Sequence, residues 1–304
     1  MFPDAPAISG ERQLELTLER SEPPRLIDAR VIEGERMRAH KVDGPPVVAF
    51  AAFLDGRQSS EVVAYRPGGV PVVLGTVAAV VRERRNQRMF TWSHNVERAL
   101  YASRAHLAAS DWQRLAASGL PLFDTTEGDD AVLEHPLALG ESAIHAVQKD
   151  REAVESRLAL DWCEQESRPL LIDGGISGID VVAKSECAVG VVKSHRSLYA
   201  RGEALQTVLA LQAGERSSVL LVTSPKRTSV ASWYLRLRDS RGHDPMWSLV
   251  RVEIASRERD IALRADEVSR WILAEGAPVA LPDGRWDKMV YGVRDCEEFL
   301  RAVM

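Results

Sequence analysis

The spacing of apolar residues predicts strands early in the chain. Residues 47–56, VVAFAAFLDG, are almost continuously apolar, which is typical of a strand buried on both faces and ended by a turn. Two further apolar runs follow, EVVAYRP at 61–67 and VPVVLGTVAAVV at 70–81, with Gly68 and Gly69 between them. This spacing predicts an antiparallel hairpin.

Helical spacing replaces the strand pattern further along. Apolar and polar residues alternate at helical intervals through residues 82–119. The acidic segment 124–136 predicts a surface loop, and a second helix is expected from about Gly140 onward. We therefore predict a helical insertion over about residues 82–168.

The second half of the chain returns to the strand pattern. PLLIDGGISG at 169–178 has the order of the first strand, an apolar run followed by Asp-Gly. Further strands are expected at 186–195, 217–225, 230–238 and 246–255, and helices near 263–276 and 294–303. The order predicts an α/β fold in which a mixed sheet is flanked by helices, with additional β-hairpin elements. We expect one domain over 45–304 and an N-terminal extension, residues 1–44, that packs on it.

Composition narrows the class of protein. The 304 residues are 45% hydrophobic and 27% charged, which is typical of a folded globular chain and excludes a disordered one. Cys163, Cys187 and Cys296 form no CxxC motif, so neither a zinc cluster nor a disulfide framework is expected. The longest uncharged stretch is too short to cross a bilayer, and the first residues lack the pattern of a secretory signal. We expect a cytoplasmic protein with no membrane partner.

Two Asp-Gly pairs follow predicted buried strands. LDG at 54–56 and IDG at 172–174 place Asp55 and Asp173 at strand ends, where the following glycine lets the backbone turn. If the two strands are neighbours, the carboxylates lie close together and most naturally hold a hard divalent metal ion. The alternative for each pair alone is an ordinary Asx turn.

A predicted helix upstream of the second strand offers a third carboxylate. Glu152 and Glu155 lie three residues apart on one helix face, and either could be directed toward the strand ends. The alternative is an exposed face on which they pair with Arg151 or Arg157. Two aspartates and one glutamate suit magnesium or manganese rather than zinc. Metal ions held in this way would activate water and stabilise a phosphodiester leaving oxygen.

A basic cluster follows the next strand. Lys193 and Arg196 come directly after it, with Ser194 and Ser197 as possible hydrogen-bond donors to phosphate. Lys193 is expected to lie beside the metal site and hold the scissile phosphate, and the alternative is a solvated strand end. Phosphate-loop, dinucleotide-binding, GxSxG and HExxH motifs are absent from the sequence, which excludes the sites that those motifs form.

The order of these motifs resembles the NurA nuclease family, whose members work with HerA-type hexameric ATPases in DNA end processing. The matching segments are 50–57 (FAAFLDGR), 152–160 (EAVESRLAL), 170–178 (LLIDGGISG), 188–194 (AVGVVKS) and 233–254 (WYLRLRDSRGHDPMWSLVRVEI). The resemblance implies a ribonuclease H-like core and a manganese-dependent deoxyribonuclease, acting as an exonuclease, an endonuclease or both. It assigns Asp55, Glu155 and Asp173 to the metal, with Glu152 as the alternative to Glu155, and makes Lys193 the lysine of the following strand.

One feature of the family is missing. Its members carry a histidine in the C-terminal segment near the metals, but the last histidine of this chain is His243. Either another residue, such as a nearby acid, replaces it or catalysis is weakened. Two alternatives therefore stand beside the nuclease: an adaptor that binds DNA and the ATPase without cutting, and a metal-dependent hydrolase of a small phosphate ester.

Charge distribution bears on the expected partners. The net charge of −5 conceals three basic segments, 82–104, 193–201 and 223–241, which we expect to line an internal groove that binds phosphate. The expected DNA-binding residues are Arg57, Arg84, Arg85, Arg88, Lys193 and Arg196. The resemblance further implies a homodimer that forms a channel for DNA, docked on the hexameric ATPase, with a role in repair or anti-phage defence.

Overall fold

The computed structural model describes residues 23–126, 135–225, 227–257, 260–276 and 291–304. Its strands are β1 (Arg25–Leu26), β2 (Arg30–Val31), β3 (Ala39–Lys41), β4 (Ala52–Arg66), β5 (Val70–Arg85), β6 (Arg88–Ala102), β7 (Leu122–Asp124), β8 (Leu170–Asp173), β9 (Ala188–Val192), β10 (Ser197–Leu198), β11 (Glu215–Ser217), β12 (Leu220–Ser224), β13 (Arg227–Arg236) and β14 (Leu249–Ala255). Its α-helices are α1 (Ala109–Ala116), α2 (Pro136–Gln165), α3 (Asp180–Lys184), α4 (Gly202–Leu209), α5 (Ile261–Glu275) and α6 (Tyr291–Val303), and a 3₁₀ turn covers Arg104–His106.

Twelve strands of the described residues form one mixed sheet. Its main path runs β2-β12-β13-β14-β9-β8-β4-β5-β6-β7, and off this path β11 pairs with β13 and β3 pairs with β11. The neighbours of β4 are β5, which is antiparallel, and β8, which is parallel, and β9 in turn lies parallel to β8. The prediction of an α/β fold with a mixed sheet flanked by helices is confirmed.

Helices cover both faces of this sheet. On one face, Val147, Val154 and Trp162 of α2 pack in a core with alternate residues of β4 and β5. On the other face, α5 and α6 contribute Val268 and Leu300 to a second core. Burial of apolar area on both faces explains why the central strands are almost continuously apolar.

The long meander β4–β5–β6 corrects the sequence prediction. The hairpin between β4 and β5 is confirmed, since Gly68 and Gly69 adopt φ values of 84° and 75° in its turn. The helix expected from residue 82 is wrong, because 82–85 continue β5 and 88–102 form β6. Much of β6 is exposed or half-buried, so its alternation was easily read as one face of an amphipathic helix. Helical structure in this region is confined to the 3₁₀ turn and α1, so the insertion is not helical from its start.

A two-residue turn makes this chain reversal possible. Asn86 and Gln87 have φ values of 50° and 63°, the left-handed conformation that a type I′ hairpin turn requires at both positions. Arg85 and Arg88 face each other across the turn. The second predicted helix does occur: α2 begins at Pro136, where the His135 side chain accepts a hydrogen bond from the Leu137 N–H at 3.2 Å.

The N-terminal residues that the structure describes join the sheet. β2 pairs with β12, β3 pairs with β11, and β1 forms a separate parallel pair with β10. Glu33 ties this segment to the body through two hydrogen bonds from Arg216, at 2.7 and 2.9 Å. Within the described ranges, no helix combines the length and the apolar character needed to cross a bilayer.

Candidate functional site

The structure places the two Asp-Gly pairs next to each other. The turn expected after the first pair is wrong, because β4 continues through Gly56 to Arg66, whereas β8 does end at Asp173. β4 and β8 are parallel neighbours in which Leu54 is opposite Ile172, so Asp55 and Asp173 follow at adjacent positions. Asp55 is 8% exposed, and its Oδ1 accepts a hydrogen bond from the Gly56 N–H at 2.8 Å. Burial, reinforced by the charge of Asp173, raises the pKa of Asp55 well above its usual range. Two carboxylates in this arrangement either share a proton or take up a compensating positive charge.

Lys193 supplies part of that charge. It follows β9, the parallel neighbour of β8, and its Nζ donates a hydrogen bond to Asp173 Oδ2 at 2.8 Å. Leu171 and Val191 pack in the core that contains α5 and α6. Because side chains alternate along strands, Asp173 and Lys193, two residues further on, belong to that same face of the sheet.

Glu155 reaches the site from the opposite face. A Cβ atom built on Gly56 would lie 2.0 Å from Glu155 Oε1, so the carboxylate lies directly over the Gly56 backbone. Only glycine leaves room for it. Burial raises the pKa of Glu155 to about 7, against the lowering effect of its ion pair with Arg151 and with smaller contributions from the Glu152 and Asp173 charges.

The neighbouring Glu152 occupies a different environment. Its side chain is 53% exposed and accepts a hydrogen bond from Gln148 Nε2 at 3.0 Å. Of the two helix carboxylates that the sequence offered, Glu155 is the one directed at the strand ends. The ion pair with Arg151 that the sequence offered as the alternative is also present. Glu155 therefore lies at the site and is paired with Arg151 at the same time.

The donor set fits a hard divalent cation in its chemistry. All the donors are carboxyl oxygens, and Asp55 is a buried carboxyl group beside a second one. Within the described residues, no group of three or more His, Cys, Asp or Glu side chains is arranged to hold a metal ion. The reason is the sheet itself, because Asp55 and Asp173 lie on the α5–α6 face whereas Glu155 comes from α2 on the other face.

An open cavity of about 250 Å³ adjoins Glu155 and Asp173, whereas Asp55 is not among the described residues that line it. Glu155 and Asp173 line it, together with Arg151, Gly175 and Arg227. Its lining thus contains both carboxylate and guanidinium groups, and one pair of them, Glu155 and Arg151, is joined by an ion pair.

The C-terminal helix α6 packs beside Asp55. Cys296 Sγ donates a hydrogen bond to the Phe53 carbonyl at 3.3 Å, and burial, with the charge of Asp55 adding to it, raises the pKa of the Cys296 thiol. Asp295 of the same helix pairs with Arg82 at 2.5 Å. Sequence reasoning missed Cys296 as a neighbour of the site, because only the packing of α6 on β4 brings it there.

The basic residues expected to bind DNA are dispersed. Arg84 forms a bidentate ion pair with Glu275 at 2.6 and 2.7 Å, so its charge is balanced inside the fold. Arg85 pairs with Glu83 at 2.5 Å, and Arg85 and Arg88 both lie at the β5–β6 turn.

Strand register separates that turn from the carboxylates. Val80 is opposite Asp55, and Arg85 lies five residues further along β5, which corresponds to roughly 17 Å. Arg57 is exposed two residues after Asp55 on β4. Arg196 lines a different cavity, whereas Lys193 contacts a site carboxylate directly.

Comparison with known proteins finds a similar solved structure but no matching family. No protein-family model matches the chain, and no curated protein matches it. Among solved structures, the crystal structure of the NurA nuclease from Sulfolobus solfataricus is similar to this one with a TM-score of 0.48 and 12% sequence identity, over 90% of this chain and 81% of that chain. A likeness of this size does not by itself assign a fold family or an activity to the chain.

Proposed function

We propose that this protein is a deoxyribonuclease that depends on Mn²⁺ or Mg²⁺ and hydrolyses phosphodiester bonds where Asp55 of β4 lies beside Asp173, the last residue of β8. The observation that carries the proposal is the side-by-side placement of Asp55 and Asp173 with Lys193 hydrogen-bonded to the second carboxylate. Asp55 and Asp173 would hold the cation, and Glu155 would contribute from the edge of α2. A bound cation lowers the pKa of water and stabilises a phosphodiester leaving oxygen.

The protein side chains have distinct roles in this scheme. Lys193 would stabilise the charge that develops on the phosphate, since its Nζ is already held at the site by Asp173. Arg151 holds Glu155 in place through their ion pair, and its Nε donates a hydrogen bond to Gln58 Oε1 at 3.2 Å. Arg227 lines the adjoining cavity and would orient the substrate backbone.

The sequence resemblance extends the proposal to the whole molecule. The order β6-β5-β4-β8-β9, with antiparallel neighbours on one side of β4 and parallel neighbours on the other, supports a ribonuclease H-like core. We propose that the protein is a cytoplasmic homodimer and works with a HerA-type hexameric ATPase in DNA end processing, in repair or anti-phage defence.

Manganese-dependent degradation of labelled single- and double-stranded DNA tests the activity. Asp173→Asn should lower the cleavage rate by about 10²-fold or more, since it removes a charge that organises the reacting centre. Asp161→Asn is the matched control, because Asp161 is an exposed residue of α2, and it should cleave at the wild-type rate. Equal cleavage rates for the wild type and Asp173→Asn would rule out this mechanism.

A second candidate function is a DNA-binding adaptor for the ATPase. It is favoured by the engagement of Asp173 with Lys193 and of Glu155 with Arg151, which gives each carboxylate a cationic partner from the protein. The sequence from 291 to 304 also contains no histidine. Isothermal titration with MnCl₂ separates the two functions: an adaptor shows no heat of Mn²⁺ binding and still forms a complex with the ATPase.

A further inference from the structure

A second cavity lies next to the candidate active site. Its volume is about 450 Å³, and the loop after β8 separates it from the first cavity. Gly175 and Arg227 line both spaces, so the two cavities share a wall. A volume of this size is in the range of pockets that take one small ligand or one nucleotide of a strand.

The lining of this cavity is strongly cationic. Four arginines contribute to it: Arg25, Arg196, Arg227 and Arg251. The carboxylate in the lining is that of Glu253, whose Oε1 accepts a hydrogen bond from Arg251 at 2.5 Å. Among the described residues of the lining, guanidinium groups thus outnumber carboxylates, which favours an anionic ligand although the net charge of the chain is −5.

Hydroxyl groups line the same cavity as the arginines. Ser177, Ser194, Ser197, Ser224 and Thr228 all line the cavity. Guanidinium and hydroxyl groups together are the side chains that contact phosphate oxygens in protein complexes with nucleic acid.

The wall between the two cavities is fixed in position. Glu253 Oε2 accepts a hydrogen bond from the Ile176 N–H at 2.8 Å. A Cβ on Gly175 would lie 2.9 Å from the same oxygen, so the loop backbone packs directly on this carboxylate. Thr228 N–H also donates to the Ser177 carbonyl at 3.0 Å. A wall held in this way needs little reordering when a ligand binds.

The N-terminal segment completes the cavity. β1 pairs in parallel with β10, which places Arg25 beside Ser197, and Arg25 Nε donates a hydrogen bond to Ser197 Oγ at 3.2 Å. Arg25 and Arg196 are thereby brought together although 171 positions separate them in the sequence, and the Arg25 N–H donates to the Arg196 carbonyl at 2.8 Å.

We propose that this cavity is a phosphate-binding subsite that holds the backbone of single-stranded DNA adjacent to the candidate active site, with Arg25, Arg196 and Arg227 as its phosphate ligands. The inference rests on the proposed nuclease function. The shared wall lets one strand occupy both cavities, with Arg227 between them. A free nucleotide carries the same phosphate group as a DNA strand. Competition with thymidine monophosphate distinguishes these two possible ligands.

The test measures DNA binding in EDTA, where no metal-dependent cleavage takes place. Fluorescence anisotropy with a labelled 20-residue oligothymidylate compares the full-length wild type with the Arg25→Gln/Arg196→Gln variant at several salt concentrations. The variant should bind at least 10-fold more weakly, and its slope of log K against log[salt] should be smaller by about 1.4, or about 0.7 for each phosphate that is no longer neutralised. Arg114→Gln is the matched control, because Arg114 is an exposed arginine on α1 that does not line the cavity, and it should bind like the wild type.

A second variant keeps the test independent of the packing of the N-terminal segment. Ser194→Asp adds a negative charge to an exposed lining position and should also weaken binding at low salt, with an unchanged thermal midpoint. Wild-type affinity and salt slope in both variants would overturn the subsite. Thymidine monophosphate should compete only weakly, and competition as strong as that of the oligonucleotide would overturn a strand as the occupant.

Cleavage assays separate this inference from the proposed function. If the variants bind DNA more weakly but the wild type does not cut DNA with Mn²⁺, the subsite is supported and the nuclease function is ruled out. If the wild type cuts DNA and the variants bind it with unchanged affinity, the nuclease function is supported and the subsite is ruled out.

Discussion

At the scale of single residues, Asp55 is a source of instability in the metal-free fold. Its carboxyl is buried beside Asp173, so the folded state favours the neutral form and the pKa lies well above that of an unfolded chain. An ionised Asp55 therefore weakens the fold, and this penalty appears as the pH rises above the unfolded pKa. Binding sites commonly carry such a cost in exchange for their chemistry.

Asp55→Asn should therefore stabilise the metal-free protein at pH 7. We expect a gain of order 1 kcal/mol, or about 2–4 °C in Tm, because the amide keeps an oxygen that accepts from the Gly56 N–H and loses the charge. The gain should shrink as the pH falls toward 4, where the wild-type carboxyl is protonated. Thermal unfolding in EDTA measures it, with Asp161→Asn as the control. With Mn²⁺ the order should reverse, since only the wild type gains stability from bound metal, and a variant less stable than the wild type in EDTA would contradict this account.

At the scale of elements, the crossing of α2 over β4 decides where the third carboxylate lies. Glu155 Oε1 occupies the space that a side chain at Gly56 would need. In a strand, alanine is ordinarily more favourable than glycine. A loss of stability in the Gly56→Ala variant would therefore point to a clash between the new methyl group and Glu155.

Gly56→Ala should destabilise the protein by about 1–3 kcal/mol and remove metal-dependent activity, because Glu155 must move off the strand end. Urea unfolding measures the first effect and DNA cleavage the second. The double variant Gly56→Ala/Glu155→Ala should recover most of the missing stability, as expected when two side chains compete for one space. Gly178→Ala is the control for the unfolding measurement, since no atom lies within 4 Å of its built Cβ. Additive effects of the two substitutions would show that the clash is not the cause.

The sequence predicted that Asp55 and Asp173 lie side by side, but it wrongly ended the first strand at Gly56, which β4 passes through. Asp-Gly after an apolar run identified Asp55 and Asp173, because that pattern is local to each strand and the two strands are parallel neighbours. It could not show that Glu155 arrives on the opposite face, since this depends on how α2 crosses the sheet. The β5–β6 turn was missed for a related reason: Gln87 at positive φ is uncommon, so the local residues did not predict a reversal.

At the scale of the whole molecule, one buried arginine joins three distant parts of the chain. Arg216 of β11 is 1% exposed and contacts Glu33 of the N-terminal segment and Asp266 of α5, the latter at 2.5 Å. Burial opposes the charge on Glu33, but the hydrogen bonds and charge of Arg216 outweigh it and hold the pKa of Glu33 below its usual value. Glu33 thus stabilises the fold above its unfolded pKa, and this contribution is lost as the pH falls through the lower, folded value.

Glu33→Gln should lower the free energy of unfolding by about 2 kcal/mol at pH 7, since it removes charged hydrogen bonds to a buried arginine. The difference from the wild type should narrow as the pH falls from about 4.5, because the wild-type carboxyl then becomes protonated too. Urea unfolding at pH 7, 5 and 3.5 checks both statements. The exposed neighbour Glu35 provides the control variant, Glu35→Gln, which should have the wild-type free energy of unfolding at pH 7. If the difference in unfolding free energy between the wild type and Glu33→Gln stays constant with pH, the charge of Glu33 is not the cause of the stabilisation.

Strands β4 and β8 differ greatly in length, so part of β4 extends beyond the end of β8. β4 continues eleven residues beyond Asp55, roughly 36 Å, whereas β8 ends at Asp173. Helix α2 runs along this extension and is fastened to it twice, where Pro136 packs against Gly69 and where Arg151 donates to Gln58. Because α2 contacts the hairpin near both of its ends, we expect a displacement of the far turn to be passed through this helix to Glu155, beside Asp55 and Asp173.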